Sequence, residues 1–293
     1  MDLAWISARR ERCIAVTLAR LGCGLGLASL VVALVWPGVT VAEVSQSGEL
    51  AMSASGGIAP ITLPRSKAAP ASLRLGFTSE ALDSAATPEL SRIVLELGPN
   101  VELQTAGLAS CSFAELYSQS ADPDRSCAKS LVGHGFVNSE ITLPGTPPTQ
   151  VKGRLSAFYV LREGERRILA RVRTGAPLPL IYVIPFKITP GQGVFRTSLV
   201  VRRMRVIFGI CLHPNCFSPY TLQGVYGHIS KLELSLHRRF ARNGESDSFL
   251  SSRCPVPGGG SEAAFPLVRV SLDYARGDSL ASSVSRTCRV AAE

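Results

Sequence analysis

The longest sustained alternation of apolar and polar positions lies in residues 151–188, VKGRLSAFYVLREGERRILARVRTGAPLPLIYVIPFKI. Leu155, Ala157, Tyr159 and Leu161 share one parity, with Arg154, Ser156 and Arg162 on the other. Beyond Glu163-Gly164-Glu165, Ile168, Ala170 and Val172 alternate with Arg167, Arg171 and Arg173. A period of two on both sides of a short Gly-containing break predicts a β-hairpin with one buried face. Residues 180–184, LIYVI, follow as a more continuously apolar strand. Pro179 and Pro185 flank it, and proline donates no ladder hydrogen bond, so the strand is expected to begin and end there, or to bend.

The same reading extends along the chain. Residues 72–78 (SLRLGFT) alternate, and residues 91–97 (SRIVLEL) form a second strand candidate. Ser112 with Glu115 three residues on has the spacing of a capping box, which predicts a short helix over residues 112–118, ended by Asp122-Pro123-Asp124. A strand is expected over residues 136–143 and two more over residues 194–210. Residues 228–240 (HISKLELSLHRRF) fit both periods; Leu234 would spoil the polar side of a helix, so they are read as strand. Val268, Val270, Leu272 and Tyr274 point one way in a last hairpin that turns at residues 275–279 and returns over residues 280–290. About ten short strands, little helix and frequent turn signals predict an all-β fold, an antiparallel β-sandwich, with a partly closed β-barrel as the alternative. Residues 43–71 are rich in Ser, Gly, Ala and Pro and read as a flexible linker, which leaves residues 72–293 as a single domain.

The N-terminus bears on location. Arg9, Arg10, Arg12 and Arg20 precede an uncharged run over residues 21–36, and Thr40-Val41-Ala42 offers small residues after Pro37-Gly38. This predicts a signal peptide over residues 1–42 cleaved after Ala42, with a retained signal anchor through residues 21–36 as the alternative. Arg20 stands where a lipobox needs an aliphatic residue, so Cys23 is not read as a lipidation site. The remaining chain keeps six of the eight cysteines, an even number that favours disulfides in an exported protein. Pairing of sequence neighbours is expected: Cys111–Cys127, Cys211–Cys216 and Cys254–Cys288.

Charge and motifs limit the chemistry. The chain carries 31 Lys and Arg against 22 Asp and Glu, a formal net charge of +9, and the basic residues are mostly Arg. Arg202, Arg203 and Arg205, and then His237, Arg238, Arg239 and Arg242, form basic clusters besides the central hairpin. No phosphate-cradling Gly-rich loop and no helix-borne basic region is present, which argues against sequence-specific nucleic-acid reading. His134, between Gly133 and Gly135, has no accompanying nucleophile motif and is read as a turn residue. Cys211 and Cys216, with His213 between them and His228 or His237 beyond, do not have the spacing of a zinc ribbon, and a loop-closing disulfide is preferred. Arg276-Gly277-Asp278 sits where a hairpin turn wants Gly and Asp. Glu163 with Glu165, and Glu96 with Glu102, form no motif, although paired carboxylates of a glycosidase are not visible in sequence. No catalytic residue, cofactor site or metal site is assigned.

Several segments together resemble a group of exported, Arg-rich bacterial proteins of actinobacterial type that carry no assigned function: SLRLGFT, SCAKSLVGHG, VIPFKI with GVFRTSL, HISKLELSLHRRF, SFLSSRC and VSLDYARGDSLASSVSRTCR. The resemblance implies secretion and a β-rich fold and implies no activity. The expectation is a secreted or cell-envelope, non-enzymatic protein with a binding or structural role; the alternative is a secreted hydrolase built from scattered carboxylates. The candidate ligand is an anionic envelope polymer. Its expected site is a solvated sheet face bearing Arg154, Arg162, Arg167, Arg171 and Arg173, since side chains two apart in a strand share a face.

Overall fold

A computed structural model describes residues 44–82, 87–118, 122–142, 145, 147–202, 226–242 and 244–291. Eighteen strands lie among them: β1 (Val44–Ser47), β2 (Leu50–Ala59), β3 (Thr62–Leu63), β4 (Ala69–Pro70), β5 (Ser72–Ala81), β6 (Leu90–Leu97), β7 (Val101–Leu103), β8 (Leu131–Thr142), β9 (Thr149–Arg162), β10 (Glu165–Thr174), β11 (Ile181–Pro190), β12 (Thr197–Arg202), β13 (Tyr226–Leu236), β14 (Arg239–Arg242), β15 (Glu245–Ser248), β16 (Leu250–Ser252), β17 (Glu262–Tyr274) and β18 (Ser279–Val290). Two short helices, α1 (Phe113–Tyr117) and α2 (Pro123–Ser126), lie between β7 and β8.

The protein is all-β, as its alternation predicts. Thirteen strands form one sheet in the order β1-β2-β5-β13-β8-β9-β10-β11-β12-β6-β17-β18-β3. Among the described residues every pairing in it is antiparallel except that of β18 with β3. The sheet curls until its two ends meet: β2 lies against β17 and β18 without joining their ladder, and Arg286 Nε donates to Gly56 O at 2.8 Å. This geometry corresponds to the partly closed barrel. The concave side holds the main core, with Leu73, Leu75 and Phe77 of β5, Ile93 and Leu95 of β6, and Leu232, Leu234 and Leu236 of β13. All described residues belong to one unit spanning residues 41–293.

The central hairpin forms as the parity predicts except at Leu161, which lies beside the turn and is 53% exposed. Ile168, Ala170 and Val172 of β10 pair with Tyr159, Ala157 and Leu155 of β9, and all six are buried on the concave side. The connection is a two-residue turn in which both Glu163 (φ 53°) and Gly164 (φ 77°) have positive φ, the backbone that a tight hairpin demands.

Four expectations are corrected. Residues 44–71 are not a linker: they contribute β1 to β4, and Leu50, Met52, Ala54, Ile58 and Leu63 are buried. Alternation is present in β2, but Ala, Ser and Gly occupy so many positions that composition conceals it. β11 does not end at Pro185, which pairs with Leu169 of β10. The ladder from β11 to β12 starts only at Lys187 with Val200, so the missing proline donor falls before it. His134 is not in a turn but inside β8, opposite Ser235 of β13 and Ser156 of β9. The glycines beside it serve close approach: a Cβ on Gly135 would lie 1.9 Å from Glu233 O. Asp122-Pro123 opens a second helix instead of only ending the first, with proline in its first turn, where no N–H partner is needed.

Three expectations fall outside the described residues: the signal segment and its cleavage site, the Cys211–Cys216 pair with His213, and the second strand expected beyond Arg202.

Candidate functional site

Five outward arginines are the natural starting point, because the central hairpin presents all of them on its convex side. Their surroundings separate them. Between β7 and β8 the chain folds into a lobe fastened by the disulfide Cys111–Cys127 (Cα–Cα 5.4 Å). Its short helix is capped as the Ser112/Glu115 spacing predicts: Glu115 N donates to Ser112 Oγ at 3.1 Å, and Ser112 Oγ donates to Glu115 Oε2 at 2.9 Å. Leu116 and the disulfide then pack against Phe158 and Val160 of β9, Leu169 of β10 and Val183 of β11, which form a second, outer core. These strand residues share the arginines' parity, so the convex face is apolar in its middle and the lobe covers it.

Arg171 is therefore buried, 7% exposed, and is not on a solvated face. It donates from Nη2 to Ser118 O at 3.1 Å, while its Nε has no hydrogen-bond partner among the described residues. Burial lowers its pKa and neighbouring Arg173 lowers it further, opposed in part by Asp124 and Asp122. Arg162 lies over the Phe113 ring at 5.1 Å and pairs with Glu163 at 3.3 Å. Arg167 shares Glu165 with Lys187; these two hydrogen bonds, Lys187 first, lower the Glu165 pKa.

Arg154 and Arg173 remain exposed and stand directly opposite each other across β9 and β10. Neither has a hydrogen-bond or ion-pair partner among the described residues, and the same holds for exposed Lys152, two residues before Arg154. Like charges directly opposite in a sheet are destabilising. Both Lys152 and Arg154 line a shallow groove of about 440 Å³ over β13, β8 and β9, together with Phe136, Asn138, Lys231 and Glu233. Lys231 and Glu233 are paired at 2.7 Å. Phe136 sits at the centre of this floor, opposite Glu233 on one side and Arg154 on the other.

A larger groove of about 580 Å³ runs over β10, β11, β12, β6 and β17. Its cations are Arg92, Arg167, Lys187, Arg202 and Arg269. Most are compensated: Arg269 binds buried Glu96 at 2.5 Å and lies over Phe195 at 4.7 Å, and Arg92 reaches Asp273 at 3.4 Å. Arg202 alone among the five has no partner among the described residues.

The arginine face thus divides into one buried member, two engaged members and one uncompensated pair. Sequence parity placed all five on the convex side. It did not reveal that Phe158, Val160 and Leu169, which share that parity, would recruit a cover. Lys152, Phe136 and the larger groove were also missed; only the parity of Phe136, which it shares with His134 and Asn138, carried a signal.

The other candidates have structural surroundings. Glu96 pairs with Arg269, Glu102 with Arg196 at 2.8 Å, Glu163 with Arg162, and Glu165 with Arg167 and Lys187. Arg276-Gly277-Asp278 closes the β17–β18 hairpin, where Gly277 N donates to Tyr274 O at 3.0 Å and Tyr274 N donates to Asp278 O at 2.9 Å. Cys111, Glu115 and Cys127 come within 4.8 Å of one another, but the two sulfurs are bonded to each other. Cys254–Cys288 is also formed (Cα–Cα 5.7 Å) and ties the segment before β17 to β18. Two disulfides indicate an oxidising, non-cytoplasmic location. Among the described residues, no helix is long and apolar enough to cross a membrane.

On the concave side, polar groups gather at one end. Ser79 Oγ and Tyr274 OH are 2.5 Å apart, and Ser139 Oγ and Tyr182 OH 2.9 Å. Burial raises the Tyr182 pKa to about 12, against a smaller pull from Ser139. His228 is 5% exposed, and neither ring nitrogen makes a well-formed hydrogen bond among the described residues. Burial lowers its pKa to about 4, opposed in part by the Ser79 backbone beside it.

No protein-family model, no curated protein and no solved structure matches this chain.

Proposed function

We propose that this is an exported, non-enzymatic protein of the cell envelope or the extracellular space that binds an anionic polymer weakly through the convex face of its sheet. The binding groups are Lys152, Arg154 and Arg173, with Lys231 at the margin. One observation carries this reading: Arg154 and Arg173 are directly opposed, exposed, and without an acidic partner among the described residues. Such a pair opposes folding, and a bound anion removes the opposition because each guanidinium can grip a carboxylate or phosphate with two parallel hydrogen bonds. The inward side of the hairpin beneath is buried, so the two side chains leave the backbone at strand spacing, about 5 Å, on the same face. An exported chain with an N-terminal signal sequence, resembling Arg-rich exported bacterial proteins without assigned function, fits this role and the disulfides.

The test is retention on an anionic polymer column. The wild type is expected to be held at about 50 mM salt and released by about 200 mM, because binding releases condensed counterions. The variant Arg154→Ser/Arg173→Ser is expected to elute early with a melting temperature equal to or above that of the wild type, since the opposed charges are gone. Co-elution of the two proteins at low salt would refute the reading.

A further inference from the structure

Phe136 is 60% exposed, and it is the one aromatic residue among the large hydrophobic side chains that stand exposed in the described residues. The ring rises from the middle of β8 on the convex face. The rows beside it are polar: Glu233 and Arg154 face it across β13 and β9, and Lys231, Asn138 and Lys152 form the next row. Elsewhere in the described residues, cations lie over the rings of Phe113 and Phe195, and Phe113 stacks on Tyr117 at 4.1 Å. The Phe136 ring has neither kind of partner among the described residues.

A bare ring on a charged sheet face offers apolar area whose removal from water would favour a ligand that covers it. Its neighbours state what that ligand is like. Arg154 and Arg173 stand one and two strands away, about 5 and 10 Å from Phe136, and Lys152 flanks Arg154. The site therefore suits a flat body with an apolar face and an anionic group within one residue's reach. Asn138 adds an amide that both donates and accepts beside that body. A pyranose carrying an acid group meets each requirement: its C–H face stacks on an aromatic ring, its hydroxyls use an amide, and its carboxylate or sulfate accepts from arginine.

We propose that this groove binds an acidic polysaccharide, one sugar ring seated on Phe136 and its acid group held by Arg154 and Arg173. The inference rests on the anionic-polymer reading and adds the polymer's class. A single-stranded nucleic acid also combines stacking with negative charge, but the two disulfides indicate an oxidising location outside the cytoplasm, which favours the polysaccharide. The groove is shallow and lies on open sheet, so it accepts an internal unit of a chain and needs no free end.

Titration of the full chain with four probes separates the terms: polygalacturonate, polyphosphate, neutral dextran and a single-stranded oligodeoxynucleotide. Wild type is expected to bind polygalacturonate more tightly than polyphosphate at equal charge concentration. Phe136→Ala is expected to lose roughly five- to tenfold in affinity for polygalacturonate and nothing for polyphosphate. Phe136→Trp restores the loss, which separates stacking from any change in folding. Arg154→Ser/Arg173→Ser loses both polymers. Unchanged polygalacturonate binding by Phe136→Ala overturns the sugar assignment while leaving the anion-binding reading intact. Tighter binding of the oligodeoxynucleotide than of polygalacturonate also overturns it. Failure of the wild type to bind either polymer removes both.

Discussion

Arg171 and Arg173 are two residues apart on one face of one strand, yet one is buried beneath the Cys111–Cys127 lobe and the other is in water. Among the described residues Arg171 donates one hydrogen bond, and Asp124 and Asp122 offset its burial only in part; replacement of such a group by an apolar side chain of similar volume is often neutral or stabilising. Arg171→Met is therefore expected to leave stability unchanged or raise it by about 1 kcal/mol, and to leave polymer binding unchanged. Thermal melts and column retention check both. A destabilisation of several kcal/mol would mean that the Ser118 contact outweighs the desolvation. The parity of the arginines was legible in the chain, because a period of two is a local property. The cover over Arg171 was not, since it depends on Leu116 and the disulfide arriving from a segment some fifty residues earlier in the chain.

At the scale of elements, the strands with bulky alternating residues were legible, and those built from small residues were not. β5, β6, β13, β17 and β18 read from sequence because Leu, Val and Ile mark the concave positions. β2 uses Leu50, Met52, Ala54 and Ile58 among Ser and Gly, and its ten-residue ladder to β5 is a long-range fact that composition conceals. Since β2 covers the β5 edge and meets β17 and β18 across the curl, its removal would expose β5 and one end of the main core. A chain starting at Ser72 is expected to show no cooperative thermal transition, whereas one starting at Glu43 melts in a single step. Equal melting temperatures for the two would show that β1 to β4 contribute no stability. Both described disulfides join cysteines nearest in sequence, which the spacing allowed but did not require, because six cysteines admit fifteen connectivities.

For the whole molecule, a curled sheet with an apolar concave side leaves the convex side as the proposed binding face, and the polar concave end holds its acid-sensitive group. His228 has a folded pKa of about 4, below the ordinary value of 6.5, so the folded protein keeps it neutral where the unfolded chain protonates it. Its contribution to stability is complete above pH about 6.5, declines as the pH falls from there towards about 4, and is lost below that, a total on the order of 3 kcal/mol. Urea denaturation at pH 7 and pH 4.5 should show this loss in the wild type and a smaller one in His228→Leu; parallel pH profiles would remove His228 from the account. On the convex side, the central claim is that Lys152, Arg154 and Arg173 hold a polyanion by charge. The most direct measurement is the affinity for polyphosphate as a function of salt. A plot of log affinity against log salt concentration should fall linearly for the wild type, and Arg154→Ser/Arg173→Ser should flatten the slope by about 1.5–2. A wild-type affinity that does not change with salt, or a slope that the double variant leaves unaltered, would contradict it.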